Sequence, residues 1–224
     1  KNNISGIFYP PVQTIKNNKV LDVNKIHFIL EKEEDRDKIL KKIDLHLKKF
    51  SKKSISDIEL NNINLKSRFD DKKTKLIKQL LQNFLPEKIK EKILNLIFED
   101  ILNIDEKSFA KKIYLNKEQI HEMSKNQMFF GLHGYNHIRL EHLSVKKQSY
   151  EIENSIRFFE KSGICKKDIS FCYPYGSYNK GSMFLLKKNK IKFALTTKLG
   201  PINKCNILNK FEIPRFDAND FIVN

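Results

Sequence analysis

Apolar positions along the chain change their spacing twice. Ile4-Ser5-Gly6-Ile7-Phe8-Tyr9 is a short apolar run closed by Pro10-Pro11, which predicts a strand leaving a core. From Val20 to about Lys125 the spacing becomes helical. Leu21, Ile26, Phe28, Ile29 and Leu30 lead into Ile39, Leu40, Ile43, Leu47 and Phe50, with lysines between. Leu76 to Phe84 and Ile89 to Ile101 repeat the pattern around Pro86. This middle third reads as a helical insert, and Asn61 to Asp71 is its most loop-like part.

Beyond Lys125 strand and helix signals alternate. Met128-Phe129-Phe130-Gly131-Leu132 predicts a buried strand. Ser144 is placed to cap a helix whose inward face is Ile152, Ile156 and Phe159 and whose end is Gly163. Ile169 to Tyr173 predicts a strand, Met183 to Asn189 a short helix, and Ile191 to Thr197 another strand. The order β-α-β-α-β predicts an α/β domain with parallel strands, whose carboxyl ends carry the functional residues. The expected organisation is 1–19 and 126–224 as one domain, with 20–125 inserted.

Composition narrows the classes. With 224 residues, 40% hydrophobic and 31% charged, the chain has the make-up of a folded globular protein, and no apolar run reaches the roughly 18 residues of a membrane span. The net charge of +16 raises the question of a polyanion partner. Residues 128–224 hold 16 basic and 8 acidic residues, half of the excess, so the charge is spread rather than gathered in a tail. No helix-turn-helix, finger or RNP-like pattern accompanies it, and nucleic acid is not the expected partner. Cys165, Cys172 and Cys205 make no CxxC pair, which excludes a zinc ribbon and gives a mild preference for a reducing, cytoplasmic compartment.

Two strand ends carry candidate chemistry. His133 and His137, four apart directly after the strand at Leu132, would share one face of a helical turn, and neutral imidazoles suit zinc, cobalt, nickel or iron. Tyr173-Pro174-Tyr175-Gly176 follows the next strand. It reads either as a plain turn or as a loop whose N–H groups face the same crevice and could stabilise an oxyanion.

In this order, the two segments resemble the polysaccharide deacetylases with NodB homology, of the carbohydrate esterase 4 type. His133-Gly134-Tyr135-Asn136-His137 is similar to the family motif H-[S/T]-x-x-H, with Gly134 where Ser or Thr is usual. Cys172-Tyr173-Pro174-Tyr175-Gly176 is similar to R-x-P-Y-G, with Cys172 at the arginine position. Leu143-Ser144 and Glu151-Ile152 in the intervening helix, Phe193 to Thr197, and Gly6 to Pro10 resemble further family elements.

The resemblance implies a NodB-type distorted (β/α) barrel, N-terminally incomplete here, with a helical insert. It implies hydrolysis of N-acetyl groups on the amino sugars of a polysaccharide or glycan intermediate. A divalent metal is implied, zinc first, with cobalt, nickel, manganese or iron as alternatives, held by His133 and His137. Tyr175 and Arg215 are the expected catalytic residues, Tyr175 through its main-chain N–H and Arg215 in place of the arginine missing at Cys172. Tyr173, Pro174, Gly176 and Asp217 are expected at the substrate. The family's T-F-D-D-G motif, source of the base and a third ligand, is expected upstream of Lys1. Phe69-Asp70-Asp71 repeats its letters, but a polar stretch precedes it and Lys72 replaces the glycine. His142 is expected to be structural or exposed, and His27, His46 and His121 to be solvated within the insert. A glycan-binding fold without activity, and a basic protein binding anionic surfaces, are the competing classes.

Overall fold

Five chain segments lie side by side in sequence order, all parallel. A computed structural model describes residues 4–58, 70–164, 168–204 and 208–221, so Phe69, Cys165 and Cys205 lie outside the described residues. Strands β1 (Ile7–Phe8) and β2 (Phe129–Phe130) pair in parallel, as do β3 (Phe171–Cys172) and β4 (Ala194–Leu195). Single bridges from Leu132 to Phe171 and from Leu195 to Ile213 join these pairs into one array. The paired runs are shorter than the apolar runs in the sequence. The ladders stop at prolines 10 and 174, which have no N–H to offer a neighbouring strand, while the Tyr173 N–H still donates to Leu195 O at 3.1 Å.

The chain divides into two units, one built from residues 1–18 and 114–224, the other from 19–113. In the first, Phe130, Leu132, Phe171, Tyr173 and Ala194 from the array form a core with residues from the flanking helices. These helices are α1 (Val12–Lys16), then α7 (Lys117–Lys125), α8 (Val145–Lys161) and α9 (Lys180–Lys188). Ser144 caps α8 by accepting from the Lys147 N–H. The buried face of α8 runs through Gln148, Glu151, Ile152, Ser155 and Phe159, at helical spacing. Gly163, at φ +66°, takes the left-handed position that ends the helix, where residues with a Cβ are strained. Helix α1 is missed by the sequence pattern, which reads Pro10-Pro11 only as a stop. Pro11 instead occupies the N-cap, where its missing N–H costs nothing. Ile120 of α7 is buried in this core, so α7 and its exposed His121 belong here rather than with the insert.

The second unit is helical among its described residues: α2 (Asp22–Lys32), α3 (Arg36–Ser51), α4 (Lys72–Gln79), α5 (Glu87–Leu102) and α6 (Glu106–Ile113). A π-helical turn at Leu80–Phe84 continues α4, and α5 packs on α2 and α3. Lys25 is fully buried, and its ammonium is satisfied by Glu106 at 2.8 Å and Asn95 Oδ1 at 2.6 Å. Asp71 caps α4, accepting from the Lys73 and Thr74 N–H groups, and Asp70 pairs with Lys78 at 2.6 Å. Both carboxylates therefore serve the helical unit. His27 is exposed. His46 departs from the expectation of a solvated side chain: it is half-buried, stacks on Phe50, and its Nδ1 is buried without a hydrogen bond. No helix among the described residues is long and apolar enough to cross a membrane.

Gly131 sits where two ladders meet. A Cβ there would lie 2.2 Å from the Tyr9 ring and 2.8 Å from Ser170 Oγ, which Tyr9 Oη contacts at 2.9 Å. Gly131→Ala is expected to lower stability by about 1–3 kcal/mol through overpacking. Gly163→Ala, with open space around the new Cβ, is expected to cost only the left-handed backbone, roughly 1–2 kcal/mol. Thermal or denaturant unfolding measures both.

Candidate active site at the strand ends

The loop 133–139 carries the paired histidines and is fixed from two sides. The Glu151 carboxylate, itself buried, accepts from the Tyr135 N–H at 2.9 Å, the Asn136 N–H at 2.7 Å and Asn136 Nδ2 at 2.6 Å. From the other side, the start of α1 donates to the loop carbonyls. Val12 N–H reaches Gly134 O at 3.4 Å, Gln13 N–H reaches Tyr135 O at 3.0 Å, and Gln13 Nε2 reaches Asn136 O at 2.8 Å. The backbone here is irregular rather than the helical turn expected, with Gly134 at φ +75° and His137 at φ +57°. A Ser or Thr at position 134 would be strained at that φ, which accounts physically for glycine at this motif position.

The two imidazoles nevertheless meet, with ring centroids 4.8 Å apart. His133 Nδ1 lies 2.6 Å from the Cys172 carbonyl oxygen. A carbonyl only accepts, so Nδ1 carries the hydrogen and Nε2 keeps its lone pair. Burial pushes the His133 pKa down to about 4, with the Arg215 charge adding to the shift and the Cys172 bond opposing it. Burial likewise brings His137 down to about 3, helped by His133 and by the Arg139 charge. At neutral pH the site thus presents two uncharged nitrogen donors, the protonation state that metal ligation requires.

The turn after β3 forms the facing wall. Tyr175 adopts a left-handed backbone (φ 57°, ψ 15°) and is followed by Gly176 at φ +66°. A Cβ on Gly176 would stand 2.1 Å from Thr197 Oγ1, so the turn seats directly on the end of β4. The Tyr175 ring lies 4.7 Å from the His137 ring, and the Arg139 guanidinium lies 4.5 Å over its face.

Of the other predicted residues, Arg215 is brought to this end of the array. Its Nε donates to the Thr196 carbonyl at 2.8 Å, and its charge acts on both His133 and the buried thiol of Cys172. Tyr173 and Pro174 are buried. The Tyr173 ring stacks on Tyr178 at 4.7 Å within the core, and burial raises its hydroxyl pKa. Asp217 is exposed, and its N–H donates to Asp220 at the start of the 218–221 turn. His142 is exposed beside Glu141. Among the described residues, no cluster of three or more His, Cys, Asp or Glu is arranged to hold a metal ion.

Glu151, Gln13 and Arg139 are the residues that sequence reasoning missed as parts of the site. For Glu151 a signal existed, a carboxylate on the inward face of an otherwise apolar helix.

Residues 67–194 match the family model described as polysaccharide deacetylase, a stretch that includes Asp70, Asp71 and both later motifs. The chain belongs to the polysaccharide deacetylase family. It is 26% identical over 98 residues to YxkH of Bacillus subtilis (strain 168), a protein named as a polysaccharide deacetylase. That stretch is 44% of this chain and 35% of the relative, so the chain spans about a third of the length of the curated relative it matches. A solved structure of the Streptococcus pyogenes deacetylase PplD, in complex with acetate, is similar at 28% identity. It covers 45% of this chain and 43% of its own, with a TM-score of 0.42.

Glu151→Ala is expected to leave two main-chain N–H groups and one amide without their acceptor, costing about 3–5 kcal/mol. Glu151→Gln, which keeps one accepting oxygen, is expected to lose less. Denaturant unfolding of the two variants, with nuclear magnetic resonance of the His133 and His137 ring protons, checks both the cost and the displaced loop.

Proposed function

We propose that this protein is a metal-dependent hydrolase that removes N-acetyl groups from the amino sugars of a polysaccharide or glycan intermediate. The observation that carries the reading is the His133–His137 pair, uncharged and 4.8 Å apart beside the Tyr175 turn, in a chain of the deacetylase family. The donor set fits a zinc-like cation in part. His133 already spends Nδ1–H on a carbonyl, the arrangement that orients a ligating imidazole and leaves Nε2 to bind. His133 and His137 would hold the ion, and a carboxylate outside the described residues would complete the set. When bound, the metal supplies a water of lowered pKa and polarises the acetamide carbonyl.

The chain's own groups take the remaining roles. The Tyr175 main-chain N–H is assigned to the developing oxyanion. Arg215 fills, from the Ile213 segment, the place that Cys172 leaves without an arginine, and its charge would orient the aspartate base. The turn at Tyr173, Pro174 and Gly176, together with Asp217, is assigned to substrate contact. For Tyr173 that contact is through the backbone turn it anchors, since its ring is in the core.

The parallel array is read as an arc of a distorted barrel. The exposed side chains of Ile7 and Phe8 on β1, with Phe129 beside them, support a further covering element at that edge. The T-F-D-D-G motif is assigned to that element, ahead of β1. The 19–113 unit is read as an insert, because the first unit is assembled from the stretches on either side of it.

A second reading, a glycan-binding fold without activity, is favoured by the lack of a third donor among the described residues. His133→Ala separates the two. In protein that carries the T-F-D-D-G motif ahead of β1, the hydrolase reading expects acetate release from N-acetylated chito-oligosaccharides to fall by about a hundredfold or more, with loss of bound zinc. A wild-type protein that binds the oligosaccharide, releases no acetate with zinc present, and keeps its affinity on His133→Ala would support the second reading.

A further inference from the structure

We propose that a cavity beside Tyr135 is a binding site for an anionic saccharide, a sugar bearing phosphate or carboxylate. The cavity lies wholly within the first unit and has a volume of about 650 Å³. That is the size of small-molecule sites, which range over roughly 300–1,000 Å³. Among the described residues, four cationic side chains line it, Lys16, Lys117, Arg157 and Lys161, together with His121, and no carboxylate does. Arg157 has Glu153 at 3.6 Å. Among the described residues, no carboxylate pairs with Lys16, Lys117 or Lys161.

Like charges converging on one cavity repel, and a ligand that brings negative charge relieves that repulsion. Lysine and arginine heads are also the groups that bind phosphate and carboxylate through charge-assisted hydrogen bonds. The rest of the wall suits a sugar. Tyr135 and Tyr150 meet edge to face at 5.8 Å, and Tyr150 is more than half exposed. Lys117 Nζ stands 5.5 Å over the Phe158 ring, and Lys16 Nζ donates to the Tyr135 hydroxyl at 3.2 Å. Aromatic faces bearing hydroxyls, with cations at their rims, offer an apolar platform for a sugar ring and fixed partners for its anionic group.

The cavity's lining is confined to α1, α7, the Tyr135 loop and α8 with its C-cap, whereas a track for a nucleic-acid backbone would need an extended charged groove. The proposal stands on the charge and shape of this cavity, and failure of the deacetylase reading would leave it untouched.

Isothermal titration of the protein at low salt tests it with five probes: N-acetylglucosamine 1-phosphate, digalacturonate, N-acetylglucosamine, inorganic phosphate and a single-stranded DNA oligonucleotide. At least one acidic sugar is expected to bind about tenfold or more tightly than the neutral sugar and than inorganic phosphate. Whichever of the two binds identifies phosphate or carboxylate as the natural charge. Lys117→Glu/Lys161→Glu should weaken that binding by about tenfold or more. Lys187→Glu/Lys188→Glu, the same charge change elsewhere on this unit, should leave it within about twofold, since exposed distant charges are screened. Circular dichroism verifies the folds, and Arg157→Gln replaces the double variant if that one does not fold. The proposal is overturned if neither acidic sugar binds, if inorganic phosphate binds as well as they do, or if both charge-reversal pairs weaken binding equally. It is also overturned if the oligonucleotide binds and neither acidic sugar displaces it.

Discussion

The candidate site depends on one buried carboxylate. Glu151 reaches from the inward face of α8 to the Tyr135 and Asn136 main-chain N–H groups and the Asn136 amide. A carboxylate out of water is costly unless it is hydrogen-bonded, and here two donors reach Oε2 and one reaches Oε1. The return is positional. A loop with two residues at positive φ has no helical or sheet ladder of its own, so its shape must be imposed from outside. Glu151 holds its N–H groups, and Val12 and Gln13 of α1 hold its carbonyls. With both sides of the main chain occupied, the His133 and His137 rings are held against each other.

The parallel array supplies the second constraint. The Leu132–Phe171 bridge sets the end of the β2 segment level with β3, so the Cys172 carbonyl arrives beside His133 Nδ1. The same register puts the Tyr175 turn against Thr197 at the end of β4, and Ile213 beside Leu195 delivers Arg215 to the same end. A charged residue two positions after the last bridge thus acts electrostatically on His133 and the Cys172 thiol, contributed by two earlier segments. Cys172 in place of arginine is then compatible with a positive charge near the site, delivered from elsewhere in the sequence.

Legibility in the sequence followed the range of the interactions. Ser144 and Gly163 were readable because capping is local and each cap needs a particular residue type. Helices α2 to α5 of the second unit were readable from spacing alone. The strands were readable as apolar runs but longer than their paired portions, because proline and turn geometry cut the ladders short. Helix α1 was hidden by its two prolines, whose meaning depends on whether the chain continues as helix. The spacing of the 133–137 segment predicts a helical turn, whereas Gly134, the hydrogen bonds donated by Gln13 and those accepted by Glu151 impose an irregular loop. These partners are 15 or more residues away and leave no periodic mark. His121 shows the same limit, since α7 has a helical pattern like that of the insert and only the burial of Ile120 assigns it to the other unit.

The proposed activity rests on His133 and His137 acting as a ligand pair. Zinc-edge X-ray absorption on the zinc-loaded protein tests it directly. One zinc per chain is expected, with two imidazole ligands and Zn–N distances of about 2.0–2.1 Å. A spectrum with no imidazole scattering, or one unchanged when both histidines are replaced by alanine, would contradict it.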